Sequence, residues 1–130
     1  MMNQENKVIY PITLIGEVVH GKGLGRTVGM PTANLQVTME DLPATGVYAT
    51  RIQIEGKIYN SITNIGRRPS VDEDRNITVE TYILDFHEDI YGKKVVLEIC
   101  HFLRPVIRFQ GLEEVREQVE KDIVEAKKYF

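Results

Sequence analysis

The chain has 130 residues, a net charge of −3 and a sequence pI near 5.6, with 42% apolar and 27% charged residues. This composition predicts one soluble globular domain over 1–130 and argues against a nucleic-acid partner, which would favour a basic surface. No apolar run approaches the roughly 20 residues of a membrane-spanning helix, so no membrane partner is expected. The single Cys100 cannot form an intrachain disulfide, which is typical of a protein in the reducing cytoplasm.

The first third of the chain predicts a strand that leads into a glycine-rich stretch. Residues 1–7 are polar and are expected to form a disordered tail. β-Branched and apolar residues over 12–19 predict the first strand. The glycine-rich stretch 21–34 follows, residues 35–38 could pair briefly, and 39–45 is predicted to be a connecting loop.

A β-hairpin is the clearest prediction in the middle of the chain. Two strand-like runs, 46–54 and 57–65, are joined by Glu55-Gly56, which suits a two-residue turn. The first run does not alternate strictly, which predicts a bulge near Thr50-Arg51. Residues 70–76 are polar and acidic without an apolar period, so they are expected to form a mobile surface loop.

Two further strands and one helix complete the predicted elements. Apolar runs predict strands over 77–86 and 93–103, the second of which is stopped by Pro105. Apolar residues at helical spacing predict a helix over about 112–128. Successive hairpin-linked strands followed by one helix indicate an antiparallel, mostly β or α+β fold. A closed or partly closed barrel would remove the exposed strand edges.

The glycine-rich stretch is the first candidate site. It has four glycines within nine residues, followed by Pro31, Thr32 and Asn34. Glycines let a backbone approach a ligand closely, free N–H groups there can bind an anion, and the guanidinium of Arg26 suits phosphate oxygens. On an extended segment Thr32 and Asn34 share a face, and their neutral oxygens suit Mg²⁺ beside a phosphate. A simple mobile turn is the alternative. The stretch has no Walker A ending, and Pro31 interrupts the helix that a Rossmann fingerprint needs.

Glu80 is the second candidate. It lies within the apolar strand 77–86, where a lone glutamate usually faces solvent. A carboxylate at the mouth of a barrel could instead act as a general base on an alcohol. The histidines and Cys100 show no metal-ligand spacing and no arrangement typical of a catalytic triad.

Taken together, these stretches resemble the riboflavin kinases (flavokinases), whose loop runs Gly-x-Gly-Arg-Gly-Arg-x-Leu-Gly-x-Pro-Thr-Ala-Asn. Leu24 replaces the first arginine and Val28 the leucine, whereas the Pro-Thr-Ala-Asn run at 31–34 is intact. The remaining similar strings occur in the same order as in the family: Gly46-Val47-Tyr48-Ala49, Asn64-Ile65-Gly66-x-Arg68-Pro69, the strand at Glu80, Asp89-Ile90-Tyr91-Gly92 and Leu103-Arg104-Pro105.

The resemblance implies a six-stranded antiparallel Greek-key barrel with a C-terminal helix packed alongside. It implies a cytoplasmic enzyme, expected to be a monomer, that uses ATP to phosphorylate riboflavin to FMN and releases ADP. Mg²⁺ is the expected metal, with Zn²⁺ or Mn²⁺ as alternatives. The implied catalytic base is Glu80, and Thr32 and Asn34 would bind the metal. The implied ATP-binding residues are Gly21, Gly23, Gly25, Arg26, Thr32, Asn34 and Tyr91, and the implied flavin-binding residues are Arg104 and Phe109.

The chain departs from the family pattern mainly before its final helix. Val106 occupies the position of an acidic residue in Leu-Arg-x-Glu-x-x-Phe, so the flavin contacts are expected to differ from those of the family more than the ATP contacts do. Arg104 could also form only an ion pair, and Tyr91 could be a rim tyrosine. A flavin- or FMN-binding regulatory module without turnover is therefore a second interpretation. Many bacterial riboflavin kinases also carry an adenylyltransferase half, for which 130 residues leave no room, so the chain is expected to be either a stand-alone kinase or an excised domain.

Overall fold

The computed structural model describes residues 11–19, 32–37, 42–67, 77–107 and 110–130. The described elements are β1 Ile12–Val19, β2 Ala33–Val37, β3 Gly46–Ile54, β4 Lys57–Arg67, β5 Ile77–Ile83, β6 Lys94–Arg104, helix α1 Leu112–Ala126 and a 3-10 helix Lys127–Tyr129. The predicted tail at 1–7, most of the glycine-rich stretch and the predicted loop at 70–76 lie outside the described residues.

The six strands form a closed barrel in the order β1-β2-β5-β4-β3-β6, and all neighbouring strands are antiparallel. Strands β3, β4 and β5 are successive neighbours, and β6 returns to lie beside β3. This arrangement is a Greek key. The predicted six-stranded Greek-key barrel with a C-terminal helix is therefore confirmed.

The predicted strands agree with the structure except at their ends and at one irregularity. β2 begins at Ala33, ahead of the predicted residue 35, and β5 ends at Ile83 rather than at 86 because a turn follows. Glu55-Gly56 joins β3 to β4 with positive φ at both residues, as a type I′ turn requires. The pairing of β3 with β6 is irregular between Val47 and Tyr48 and between Ala49 and Thr50, slightly before the predicted bulge.

The barrel interior is apolar except for a chain of hydroxyl groups. Side chains from all six strands form one core cluster, which includes Leu97, Ile99 and Ile52, all fully buried. Four fully buried hydroxyls are linked in the order Ser61, Thr50, Thr63 and Thr81 by hydrogen bonds of 2.7, 2.9 and 2.8 Å. These bonds connect the inner faces of β3, β4 and β5 and satisfy polar groups that would otherwise be costly to bury.

Helix α1 covers part of the outer surface of the barrel. Its Ile123 and Ala126 pack with Val47, Ala49 and Ile62 of β3 and β4. Gly111 is the N-cap, and the side chain of Glu114 accepts a hydrogen bond from the backbone N–H of Gln110 at 2.9 Å. None of the described helices is long and apolar enough to cross a membrane.

Candidate functional site

One row of cross-strand partners on the outer wall of the barrel contains most of the described candidate residues. The strand registers connect its six members, one from each strand and in spatial order: Val19, Asn34, Glu80, Asn64, Val47 and Arg104. We call this set the outer row. Adjacent strands lie about 4.8 Å apart, so the four steps from Asn34 to Arg104 follow the wall for roughly 19 Å.

Glu80 is on the outer wall, whereas the sequence suggested the mouth of the barrel. Its chain neighbours Val79 and Thr81 are buried inside the barrel, so the alternation of a strand directs the Glu80 side chain outward. The side chain is half-buried. Its position on the wall, and not at the rim, follows from its place in the middle of β5.

Asn34 is the direct cross-strand partner of Glu80. Directly opposite side chains have Cβ atoms about 5 Å apart, so the amide and the carboxylate can contact one ligand. β2 and β5 pair through only two described residue pairs, Asn34 with Glu80 and Ala33 with Thr81. The two candidates therefore meet at the shortest strand contact in the described part of the barrel.

Thr32 immediately precedes β2 and is half-buried. Together with Asn34 and Glu80 it provides two neutral oxygens and one carboxylate near the first described residues of this strand. The described residues contain no group of three or more His, Cys, Asp or Glu side chains that could hold a metal ion. The two neutral oxygens of Thr32 and Asn34 fit a Mg²⁺ ion that takes its other ligands from phosphate and water, and they leave the Glu80 carboxylate available as a base.

Asn64 lies on the other side of Glu80, as its direct cross-strand partner on β4. The side chain is exposed. Its Oδ1 lies 3.3 Å from the position that a Cβ atom on Gly66 would occupy, so a larger residue at 66 would crowd the amide. Glu80 therefore stands between two neutral amides, one on each neighbouring strand.

Arg104, at the far end of the outer row, forms an ion pair with the helix. Its Nε and Nη2 donate to the two carboxylate oxygens of Asp122 at 2.8 Å each, and its Nη1 donates to the Pro105 carbonyl at 3.0 Å. Gln118 donates a further hydrogen bond to Asp122 at 3.0 Å. The side chain of Asp122 is only 6% exposed, so this bidentate pair is largely removed from solvent. The ion pair that the sequence offered as an alternative is thus present.

Tyr91 lies in a turn that is attached to the end of β1. The N–H of Gly92 donates to the Val18 carbonyl, and the N–H of Val18 donates to the Lys93 carbonyl, both at 2.9 Å. The Tyr91 N–H donates to Asp89 Oδ1 at 3.0 Å, and its side chain is 55% exposed. Since Val19 pairs with Asn34, Tyr91 belongs to the Asn34 end of the outer row.

Several predicted residues cannot be placed. Gly21, Gly23, Gly25, Arg26 and Phe109 lie outside the described residues, so their assignment to ATP or flavin stays a prediction.

Sequence reasoning missed two residues that the fold brings to the outer row. Asn64 belongs to a family-like string but received no role, and Asp122 was not singled out within the predicted helix. The hairpin register could have placed Asn64 on the outer wall. No local pattern pairs Asp122 with Arg104, because 18 residues separate them in sequence.

Comparisons with known proteins agree on one family. The family model for flavokinase, described as riboflavin kinase, matches residues 8–130. The bifunctional riboflavin kinase/FMN adenylyltransferase of Haemophilus influenzae is 38% identical over 97% of this chain and 41% of its own length. The protein of the same name from Listeria monocytogenes is 37% identical over 99% of this chain and 42% of its own length. The chain thus spans about two fifths of these relatives.

Two solved structures share the fold. A riboflavin kinase from Trypanosoma brucei superposes with a TM-score of 0.66 at 23% identity, covering 94% of this chain and 81% of that one. A structure named as a macrolide-efflux protein from Streptococcus pneumoniae superposes with a TM-score of 0.85 at 30% identity, covering 92% of this chain and 40% of that one.

Proposed function

Because the chain belongs to the flavokinase (riboflavin kinase) family, we propose that it transfers the terminal phosphoryl group of ATP to the 5′-hydroxyl of riboflavin. The products are FMN and ADP. The observation that carries this proposal is the direct cross-strand pairing of Glu80 with Asn34, which supports a carboxylate and an amide acting on one ligand. In a phosphoryl transfer a base accepts the proton of the attacking hydroxyl, and a neutral oxygen ligand helps to hold the metal ion at the phosphates. Two side chains at this separation suit these two roles.

Glu80 is the proposed general base. The riboflavin hydroxyl gives its proton to the carboxylate as the oxygen–phosphorus bond forms and the bond between the γ-phosphorus and the ADP oxygen breaks. The proton then passes from Glu80 to solvent. The half-buried position of the side chain allows both contact with the substrate and this return of the proton.

Thr32 and Asn34 would hold the divalent ion, for which we propose Mg²⁺. When bound, the ion neutralises charge on the nucleotide phosphates. The residues present fit it, because their oxygens are neutral and leave room in the coordination shell for phosphate oxygens and water. Tyr91 would contact ATP at the same end of the outer row. Gly21, Gly23, Gly25 and Arg26 are the further ATP contacts that the family resemblance implies.

The flavin ring would lie toward the Arg104 end. Val106 and Ile107 follow β6 there and are 44% and 45% exposed, so apolar surface is available for a planar ring. Arg104 is the proposed polar contact to the flavin ring, and its ion pair with Asp122 fixes its position. Phe109 is the proposed stacking partner. With one end for the nucleotide and one for the flavin, the reacting hydroxyl falls near Glu80.

The reaction is tested by incubating the purified chain with riboflavin, ATP and Mg²⁺ and measuring FMN and ADP by mass spectrometry. We expect equal amounts of both products, and no FMN when ATP is left out. Absence of FMN with Mg²⁺, Mn²⁺ and Zn²⁺ in turn would contradict the proposal. If the chain also bound FMN tightly under those conditions, the result would support the regulatory flavin-binding module instead.

The proposed metal site is tested separately with Asn34→Ala. Loss of the amide oxygen should raise the Mg²⁺ concentration that gives half-maximal activity, because the ion loses a protein ligand. Asn60→Ala removes an exposed amide on β4, away from Asn34, and serves as the matched control. An unchanged Mg²⁺ dependence in Asn34→Ala would place the ion elsewhere.

We further propose that the reaction takes place in the cytoplasm and that the active form is a monomer. A reducing compartment suits a chain with one cysteine, and neither proposed end of the outer row requires a residue from a second copy.

A further inference from the structure

Asn64 lies near the centre of the outer row, and the proposed mechanism gives this residue no role. It is one strand away from Glu80 and two strands away from Arg104. With a strand spacing of about 4.8 Å, these steps correspond to roughly 5 and 10 Å along the wall. Val47, between Asn64 and Arg104, is buried under helix α1, so Asn64 is the open position next to Glu80 on the side that leads toward Arg104. A substrate whose reacting hydroxyl is at Glu80 and whose ring is toward Arg104 therefore passes Asn64.

The surroundings of Asn64 leave its amide open to a ligand. Its side chain is exposed, and the next residue on the same face is Gly66, which has no side chain to cover it. On the other side along β4, Ile62 is buried against helix α1 through Ala126. Asn64 is thus the first polar position on this face of β4 beyond the edge of the helix contact.

The chemistry of an amide matches that of a polyol. The Asn side chain offers an acceptor oxygen and two donor hydrogens, and each hydroxyl of a polyol can donate and accept. A charged residue at this point would instead interact strongly with Glu80, and an apolar one would leave substrate hydroxyls unpaired. A neutral amide beside the catalytic carboxylate satisfies both conditions.

We propose that Asn64 is a substrate-binding residue that hydrogen-bonds the hydroxyls of the ribityl chain between the flavin ring and the reacting 5′-hydroxyl. This inference rests on the proposed kinase function and adds a recognition element for the polyol part of the substrate. It assigns to Asn64 an effect on riboflavin affinity, whereas Glu80 acts on the chemical step.

The test is a pair of flavin titrations, followed by fluorescence without ATP, on the wild-type chain and Asn64→Ala. One neutral hydrogen bond corresponds to about 3- to 10-fold in affinity, so the Kd for riboflavin should rise by that factor. The Kd for lumiflavin, which carries a methyl group in place of the ribityl chain, should stay the same. Asn64→Ser, which offers one hydroxyl in place of the amide, should have a Kd for riboflavin between those of the wild type and Asn64→Ala. Asn60→Ala on the same strand should behave as wild type.

Three outcomes would overturn the inference. An unchanged Kd for riboflavin in Asn64→Ala would show that the amide makes no contact with the substrate. An equal loss of affinity for riboflavin and lumiflavin would place the contact on the ring. A fall in kcat with an unchanged Kd would make Asn64 a positioning residue for Glu80. Because the titrations need no turnover, a failure of the kinase proposal appears separately, as wild-type protein that binds riboflavin without forming FMN.

Discussion

The two charged residues of the outer row differ in how their charges are satisfied. Glu80, in the middle of the row, lies between the neutral amides of Asn34 and Asn64 and is half-buried. Arg104, at the end of the row, makes two hydrogen bonds of 2.8 Å to Asp122, whose side chain is 6% exposed. The carboxylate of Glu80 has neutral neighbours, whereas the charge of Arg104 is neutralised by the fold itself.

This difference predicts a catalytic role for Glu80 and a mainly structural role for Arg104. Both Glu80 and Arg104 lie in strings similar to those of the family. The environment of Glu80 suits contact with a substrate, whereas Arg104 first joins the last strand to helix α1. We therefore expect substitution of Glu80 to change catalysis and substitution of Arg104 to change stability.

The largest expected effect is on turnover. Glu80→Gln should lower kcat by about 10²–10⁴, since general-base catalysis contributes that much, while the free energy of unfolding changes by no more than about 0.5 kcal/mol. Steady-state kinetics and urea denaturation measure the two quantities. Glu17→Gln, an exposed glutamate on the outer face of β1, is the matched control. Near wild-type kcat in Glu80→Gln would remove it as the base.

Arg104→Ala should show the opposite pattern. It leaves the buried Asp122 carboxylate without its charged partner and with the Gln118 amide alone, which should cost about 3–5 kcal/mol in the free energy of unfolding. Arg51→Ala breaks an ion pair with Glu98 at 3.4 Å, in which both side chains are more than a third exposed, and should cost no more than about 1 kcal/mol. Urea denaturation compares the two variants.

A second variant distinguishes the two possible roles of Arg104. Combining Arg104→Met with Asp122→Leu removes both charges and should recover much of the lost stability. If Arg104→Ala kept its stability and only raised the KM for riboflavin, the architectural role would be wrong and the flavin contact would be primary.

A smaller effect is expected from Thr63, on the inner face of the strand next to the one that carries Glu80. Thr63→Val removes the hydroxyl that bonds both Thr50 and Thr81, so it should cost about 1–3 kcal/mol in the free energy of unfolding. Thr63→Val combined with Thr81→Val should cost less than the sum of the single changes, because neither side of that hydrogen bond is then left unpaired. Strict additivity in urea denaturation would contradict this coupling.

The smallest effect lies away from the outer row, at Cys100. Burial raises the pKa of this thiol above its ordinary value of 9.0, and the nearby Arg51 guanidinium opposes the shift. The folded protein therefore holds the thiol proton more tightly than the unfolded chain does. This contribution to stability is present below pH 9 and is lost as the pH rises through the folded pKa.

Alkylation by iodoacetamide at pH 8 measures this shift. Cys100 in the folded protein should react more slowly than free cysteine, and unfolding in urea should restore the ordinary rate. The difference in free energy of unfolding between wild type and Cys100→Ser should be constant below about pH 8 and should narrow at higher pH. Equal alkylation rates for folded and unfolded protein would contradict the raised pKa.

Local features of the fold were predictable from the sequence because they depend on neighbouring residues. The Glu55-Gly56 turn, the strands on either side of it and the terminal helix follow from turn chemistry and apolar periodicity. Strand ends were less accurate. β2 begins ahead of the predicted position, and its first residues, Ala33 and Asn34, gain their partners on β5 only when the barrel closes.

The candidate site was likewise only partly predictable from the sequence. The sequence by itself determined which residue types are available, since a strand glutamate and the Thr32–Asn34 pair are visible without any structure. Only the tertiary structure decided that Glu80 has Asn34 on one side and Asn64 on the other, and that Arg104 is paired with Asp122. The physical reason is that these neighbours come from segments distant in sequence, and their register is set by closure of the barrel and by packing of helix α1. Neither of these leaves a periodic signal in the chain.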